Sequence, residues 1–519
     1  MSTWCRFLTL VAAVLHLSEP ACAAPGASPA CSIVWNGQAV SGKLDGGICK
    51  TTVRYGAAAR WEDAVAVTSQ SGISATENPP SCPQIMGNPT QGATSSEDCL
   101  TATIYAPVGG RRLPLFCWLH GGSYSIGSAS AAGLDGANLA KRGRVIVVVL
   151  QYRLNVLGLI PPSVAPTASD PNLQVRDIIL GLKEVRKNLA WQGDMDQVTI
   201  GGQSTGASLI RALWVAPAAQ GLFQRMILQS DPFNYGMAPM SETNNFRSAI
   251  YNHPALGSAN TFAALQAAPL ANVLGAAGAV YNAAANQMPS SPPSQPFRPT
   301  YGTPTIPKEP TGELFNNPGG LTFSPASVPM LLTTVADDGA HVFTNSEMNF
   351  LAFRNILARL VGPAGLQVIL TTPTYNITAD NTDKRPAFTK ILTDGAWRCA
   401  AREVARKWAG AGGQVYVGEF REGIHYPLND QYPYCAGKVC HMDDIMPTFG
   451  QGGGFANMIA DNWLSFIKTG RPAGGWSAFA ASNGIDGAGV KALGGDGVVP
   501  TCPAGFWGSA VKWHWQLFA

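Results

Sequence analysis

Asp196-Gln-Val-Thr-Ile-Gly-Gly-Gln-Ser-Thr-Gly-Ala-Ser208 decides how the rest of this 519-residue chain is read. Val198 and Ile200 mark an apolar strand that runs into Gly202-Gln203-Ser204-Thr205-Gly206. A helical pattern, Ala207-Ser-Leu-Ile-Arg-Ala-Leu-Trp-Val215, follows at once. The spacing is G-x-S-x-G set between strand and helix, the context in which a serine hydroxyl is raised on a sharp turn. Such a turn holds its central residue in a strained conformation, and glycines flank it where any side chain would collide. The strain lifts Ser204 Oγ off the end of the sheet, and the helix N-terminus beneath favours developing negative charge. A purely structural serine could occupy the same five residues, so a base, an acid and an oxyanion hole must be found elsewhere.

Upstream, Leu113-Pro-Leu-Phe-Cys-Trp-Leu119 and Val145-Ile-Val-Val-Val-Leu150 are apolar throughout. Continuous runs of this kind indicate central parallel strands covered on both faces. Between Asp170 and Trp191 an amphipathic helix is expected, with Asp170 as N-cap and Pro171 in the first turn. Val175, Ile178, Ile179, Leu182, Val185 and Leu189 line its apolar face. Downstream, Arg225–Gln229, Val328–Val335 and Val415–Phe420 read as further strands. The alternation predicts a doubly wound, mostly parallel α/β sheet. Short β-like segments from Ile33 to about Gly110 form an N-terminal β region. Residues of about 240–295 read as a helical insertion, a cap or pocket wall, or a peripheral subdomain. The glycine-rich tail after about Gly474 carries little signal, and no internal repeat is evident.

Composition bounds the class. Only 13% of residues are charged, 46% are hydrophobic, and the formal net charge is +3. That balance offers no reason to expect nucleic acid or an anionic membrane as partner. Arg6, the apolar stretch Phe7 to Leu17 and Ala21-Cys22-Ala23 read as a signal peptide over residues 1–23, with a buried N-terminal helix as the alternative. The apolar run is too short to span a bilayer, so a secreted protein without a stable membrane anchor is expected. Removing Cys5 and Cys22 leaves nine cysteines, an odd number. Cys117, inside an apolar run, is the best free candidate. Local pairs Cys31–Cys49, Cys82–Cys99 and Cys435–Cys440 would leave Cys399–Cys502, although spacing alone does not determine connectivity. No Cys/His spacing resembles a zinc site, and no metal or cofactor is expected. Asn376-Ile-Thr378 is a glycosylation acceptor.

Several further motifs occur in order. Ser96-Glu97-Asp98-Cys99-Leu100 precedes Ile104-Tyr-Ala-Pro107, and His120-Gly121-Gly122 precedes Gln151-Tyr-Arg-Leu-Asn-Val-Leu-Gly158. Phe297-Arg-Pro, Gly302 and Pro307 lead to Asp338-Gly339, then to His441-Met-Asp-Asp-Ile-Met-Pro-Thr-Phe-Gly450. With the Ser204 motif, these residues resemble the type-B carboxylesterase family, which includes cholinesterases and many secreted lipases on the α/β-hydrolase fold. The resemblance runs from about residue 33 to 470 and implies one such domain over residues 24–519.

It also implies roles. In this fold the chain order is Ser, acid, His. Ser204 is then the nucleophile, Asp338 the acid and His441 the base. Asp337 and His425 are the alternatives; His253 lies in the insertion, His341 beside the acid and His514 in the tail. The family usually carries Glu as the acid, so an Asp loop must sit closer. The oxyanion hole falls to backbone N–H groups of Gly122, Ser123 and Thr205, each such donor worth on the order of 10²–10³ in rate. Ser123 stands where a third glycine is usual, and Gln203 replaces the usual Glu, removing a negative charge near the imidazolium. The charges of Ser96–Cys99 are expected to be structural, paired with an arginine such as Arg153. Cys82–Cys99 would close the family's first disulfide loop. That loop lacks the tryptophan with which cholinesterases stack choline, which argues against a cholinesterase. The expectation is a secreted serine carboxylic-ester hydrolase acting on a small-molecule or lipid ester. A lipase or acyl-transferring esterase is the near alternative, and an inactive adhesion module of the same fold the distant one.

Overall fold

The apolar runs become the middle of a ten-stranded sheet. A computed structural model describes residues 31–71, 74–85, 94–257, 259–287, 295–342, 346–380 and 382–518; the expected signal, 1–23, lies outside them. The strands are β1 (Lys43–Asp45), β2 (Ile48–Arg54), β3 (Thr101–Pro107), β4 (Leu113–Leu119) and β5 (Ile146–Leu150). They continue as β6 (Gly193–Gln203), β7 (Arg225–Gln229), β8 (Met330–Val335), β9 (Val415–Phe420) and β10 (Val490–Leu493). Their order is β10-β9-β8-β7-β6-β4-β5-β3-β2-β1. From β10 to β5 every pairing is parallel, and from β5 to β1 every pairing is antiparallel. The sheet is therefore doubly wound and mostly parallel, with the N-terminal β region as its antiparallel edge.

Side-chain alternation explains why β4 and β5 lack polar residues. Leu115, Cys117, Leu119, Ile146, Val148 and Leu150 enter one apolar layer. Phe116, Trp118, Val145, Val147 and Val149 enter the layer on the other face. Both faces are covered, so neither set can be polar. Helix α1 (Leu173–Leu189) packs Val175, Ile178, Leu182 and Val185 into the first layer.

Further helices are α2 (Thr205–Ala212), α3 (Met240–Tyr251), α4 (Leu270–Gln287), α5 (Phe350–Thr371) and α6 (Arg385–Leu392). Helix α7 (Gly454–Thr469) sends Ile459, Trp463 and Phe466 into the second layer. Helices α3 and α4 lie in the insertion, whereas α5 and α6 form a second helical stretch that the sequence pattern did not single out. Helix α5 is interrupted at Gly362 (φ 70°), just before Pro363.

Three local expectations are corrected. Helix α1 begins at Leu173, not at Pro171. Asp170 does not cap it, because its Oδ2 accepts bonds from Thr305 N–H (2.9 Å) and Thr305 Oγ1 (2.7 Å), committing the carboxylate to a distant loop. Arg153 does not pair with the Ser96–Cys99 segment. Its Nε and Nη2 clasp buried Asp177 at 2.8 and 2.6 Å, while Arg60 takes Glu97 and Arg54 takes Asp98. Glu97 and Asp98 are 33% and 52% exposed, rim charges rather than buried ones. The tail holds β10, a four-residue edge strand too short to register as a pattern.

Disulfides join Cys31–Cys49, Cys82–Cys99, Cys399–Cys502 and Cys435–Cys440, and Cys117 is buried and free. Asn376 is exposed. Among the described residues no helix is long and apolar enough to cross a membrane.

Breaking the Arg153–Asp177 pair should be far more costly than breaking the rim pair. Asp177→Ala is expected to lose about 3–5 kcal/mol in urea unfolding, because Arg153 is left buried and uncompensated. Glu97→Ala should lose at most about 1 kcal/mol; equal losses would contradict this assignment of the charges.

Candidate active site

Strand β6 ends at Gln203 and α2 begins at Thr205, which leaves Ser204 alone on the turn at φ 56°, ψ −127°. Space, as well as conformation, demands the two glycines. A Cβ on Gly202 would lie 2.6 Å from the Gly206 carbonyl carbon, and one on Gly206 would lie 2.2 Å from the Leu119 carbonyl oxygen. The Ser204 N–H donates to Gln229 O at 2.8 Å, at the end of the adjacent β7. Beneath the turn, Ser208 Oγ and Arg211 hold buried Asp231.

Asp338 opens a short turn after β8 and is fully buried. Its Oδ2 accepts bonds from the Val335 N–H (3.0 Å) and Ser230 Oγ (3.1 Å). Its Oδ1 accepts the His441 Nδ1–H at 2.8 Å. The neighbouring Asp337 turns instead to the Val439 N–H. His425 lies at the surface, 54% exposed, against Asp430. Because the Nδ1 proton of His441 goes to Asp338, its Nε2 is an acceptor, and the Gln203 side-chain amide donates to it at 3.3 Å. Burial lowers the imidazole below the ordinary histidine value, which keeps the ring neutral at neutral pH. Burial also raises the Asp338 carboxyl, an effect opposed by the Val335 N–H and the Ser230 hydroxyl.

The loop after β4 carries Gly122 and Ser123, two of the three residues expected to face an oxyanion. Gly122 (φ 120°), Ser123 (φ 52°) and Tyr124 (φ 60°) follow one another in the left-handed region. Tyr124 N–H donates to Thr205 Oγ1 at 3.3 Å, tying this loop to the start of α2. A Cβ on Gly121 would lie 3.0 Å from Ser204 Cβ, so the loop's backbone runs directly against the serine. The Ser123 side chain lies beside the Tyr281 phenol of α4.

Ser204, Gln203, His441, Gly122 and Ser123 border one cavity of about 980 Å³. Its far walls are Tyr281 from the insertion, Ile356 and Leu360 from α5, Phe388 and Leu392 from α6, and Trp397. Arg359 lines it too, and among the described residues none that lines it is acidic.

The sequence matches the Carboxylesterase family over residues 51–485. The chain belongs to that family. Membership supports a carboxylic-ester hydrolase, and its relatives include proteins that are esterases by name. It is 39% identical to the para-nitrobenzyl esterase of Bacillus subtilis (strain 168) over 33% of this chain and 34% of that one. It is 35% identical to a fumonisin B1 esterase of Sphingopyxis macrogoltabida over 30% of each. A longer match, 30% identical over 74% of this chain and 75% of the other, is to a probable N-octanoylanthranilate hydrolase of Rhodococcus erythropolis. The matched stretch thus spans about a third of the B. subtilis enzyme's length. A solved PNB esterase structure superposes with a TM-score of 0.71 at 25% identity, covering 89% of this chain and 95% of that one. A thermophilic PNB esterase superposes with a TM-score of 0.73 at 24% identity and shares the α/β-hydrolase fold.

Two further residues at the candidate site carry no role in its sequence motifs. His341 stacks on His441, ring centroids 4.4 Å apart with planes 21° from parallel. Trp397 touches His441 at 5.5 Å and donates its Nε1–H to Ser230 O at 2.9 Å. His341 lies three residues after Asp338, a signal that proximity alone could have raised. Nothing in the sequence around Trp397 pointed to the site.

Gly206→Ala should not be tolerated, since the new methyl would meet backbone rather than a movable side chain. The expected result is a loss of about 3 kcal/mol or more, read as a lowered thermal midpoint. An unchanged midpoint would contradict the packing of the turn described above.

Proposed function

We propose that this carboxylesterase-family chain is a serine esterase with Ser204 as nucleophile, His441 as base and Asp338 as acid. The observation that carries the reading is the 2.8 Å bond between His441 Nδ1 and Asp338 Oδ1 at the cavity where Ser204 stands on its strained turn. A serine hydroxyl needs a base to take its proton as it attacks. Ester binding displaces the Gln203 amide from His441 Nε2. Ser204 Oγ then adds to the ester carbonyl and its proton passes to Nε2. The N–H groups of Gly122, Ser123 and Thr205 receive the oxyanion. Collapse of the tetrahedral intermediate breaks the bond to the alcohol oxygen, which takes the proton from His441. Water then attacks the acyl-serine with the roles reversed, releasing the acid. Asp338 holds the ring in the Nδ1–H tautomer throughout.

The cavity also bears on substrate. With no acidic residue among the described residues that line it, and Arg359 present, neutral or anionic esters with apolar substituents suit it. Val342 and Ile356 line it and are 39% and 37% exposed. That apolar rim favours lipid esters as a second substrate class. We further propose export by the signal at 1–23, a single α/β-hydrolase domain over 24–519 and glycosylation at Asn376.

Hydrolysis of p-nitrophenyl esters from acetate to palmitate tests the mechanism and the chain-length preference together. Ser204→Ala should lose roughly 10⁶ in kcat, and Asp338→Asn about 10⁴. Equal background rates for wild type and Ser204→Ala, with no labelling of folded wild type by a fluorophosphonate, would replace the enzyme reading with a binding module.

A further inference from the structure

His341 sits where it can govern the base. It belongs to the short turn Asp338–Val342, and its Nδ1–H donates to the Asp338 carbonyl oxygen at 2.7 Å. That bond fixes the tautomer and the plane of the ring. Trp397 and Tyr432 abut the ring edge-on, with centroids at 5.8 and 5.9 Å and planes at 72° and 85°. A ring held on three sides presents its face to His441 at 4.4 Å. One residue thus touches both the backbone of the acid and the ring of the base.

Resting on the triad reading above, we propose that His341 is a positioning residue that keeps His441 aimed at the reacting atoms. The base is anchored at Nδ1 and works at Nε2. A ring fastened at one nitrogen can still tilt about that bond, and tilting sweeps the other nitrogen away from its target. The stacked face of His341 blocks tilt on one side, and Trp397 packs against the same ring. A displacement of the order of 1 Å in such a group costs about 10²-fold in rate. The hydroxyl of Ser230 and the N–H of Val335 orient the carboxylate; His341 performs the corresponding task for the imidazole.

Three substitutions separate the stack from the hydrogen bond. His341→Ala removes both, His341→Phe keeps a ring without the donor, and His341→Asn keeps a donor without the ring. With p-nitrophenyl butyrate as substrate, His341→Ala should lower kcat about 10- to 100-fold and leave KM within about twofold. His341→Phe should restore kcat to within about threefold of wild type, while His341→Asn should stay as low as His341→Ala. Wild-type kcat in His341→Ala, a loss confined to KM, or rescue by Asn instead of Phe would each overturn the inference. If circular dichroism shows His341→Ala to be unfolded, the comparison of Phe with Asn decides. Ser204→Ala is measured alongside. Activity retained there would overturn the triad reading, whereas its loss together with wild-type kcat in His341→Ala would overturn only this role for His341.

Discussion

Ser204 sits at φ 56°, ψ −127°, a backbone conformation that a residue with a side chain keeps only when its surroundings leave no alternative. Those surroundings are specific. Gly206 packs onto the Leu119 carbonyl at the end of β4, Gly202 packs onto Gly206, and the Ser204 N–H is held by Gln229 at the end of β7. Three adjacent strands and one helix therefore fix a single residue. The same packing brings the Gly121–Tyr124 loop against the serine, because that loop leaves β4 where Gly206 touches it.

Parallel strand order does the remaining work. Strands β4, β6, β7, β8 and β9 all point the same way, so the segments that follow them emerge at one edge of the sheet. Gly122 and Ser123 follow β4, Ser204 follows β6, Ser230 follows β7, Asp338 follows β8 and His441 lies on the long loop after β9. Residues far apart in sequence meet because each sits just past the end of its own strand. The disulfide Cys435–Cys440 closes the last part of the His441 loop, and Asn429 donates to the His441 carbonyl at 2.8 Å. Helices α4, α5 and α6 add Tyr281, Ile356, Leu360, Phe388 and Leu392 to the cavity wall.

How far each feature was legible follows from the range of the interaction behind it. The β4 and β5 runs and the strand-turn-helix around Ser204 are written in consecutive residues, as burial on both faces and the need for flanking glycines require. Asp338 and His441 were legible through motif order, which substitutes for distance when each residue follows a strand. Arg153 was misassigned because a buried arginine takes whichever carboxylate packing brings under it, and Asp177 on α1 is that carboxylate. The start of α1 failed likewise, since Asp170 preferred the loop at Thr305 to a local cap. Strand β10 draws its stability from β9 beside it and left no pattern of its own.

Local chain chemistry was thus enough to indicate a doubly wound sheet and a serine on a strained turn, and the family resemblance pointed to Asp338 and His441 after later strands. Those features depend on contacts between near neighbours or on the order of segments, and both are visible in one dimension. Packing alone decided that His341 lies flat on His441, that Gln203 turns its amide to the Nε2 of that ring, and that α4, α5 and α6 wall the cavity. These are contacts between surfaces whose residues lie tens to hundreds of positions apart. No periodicity encodes them, because they come into being only when the strand ends converge.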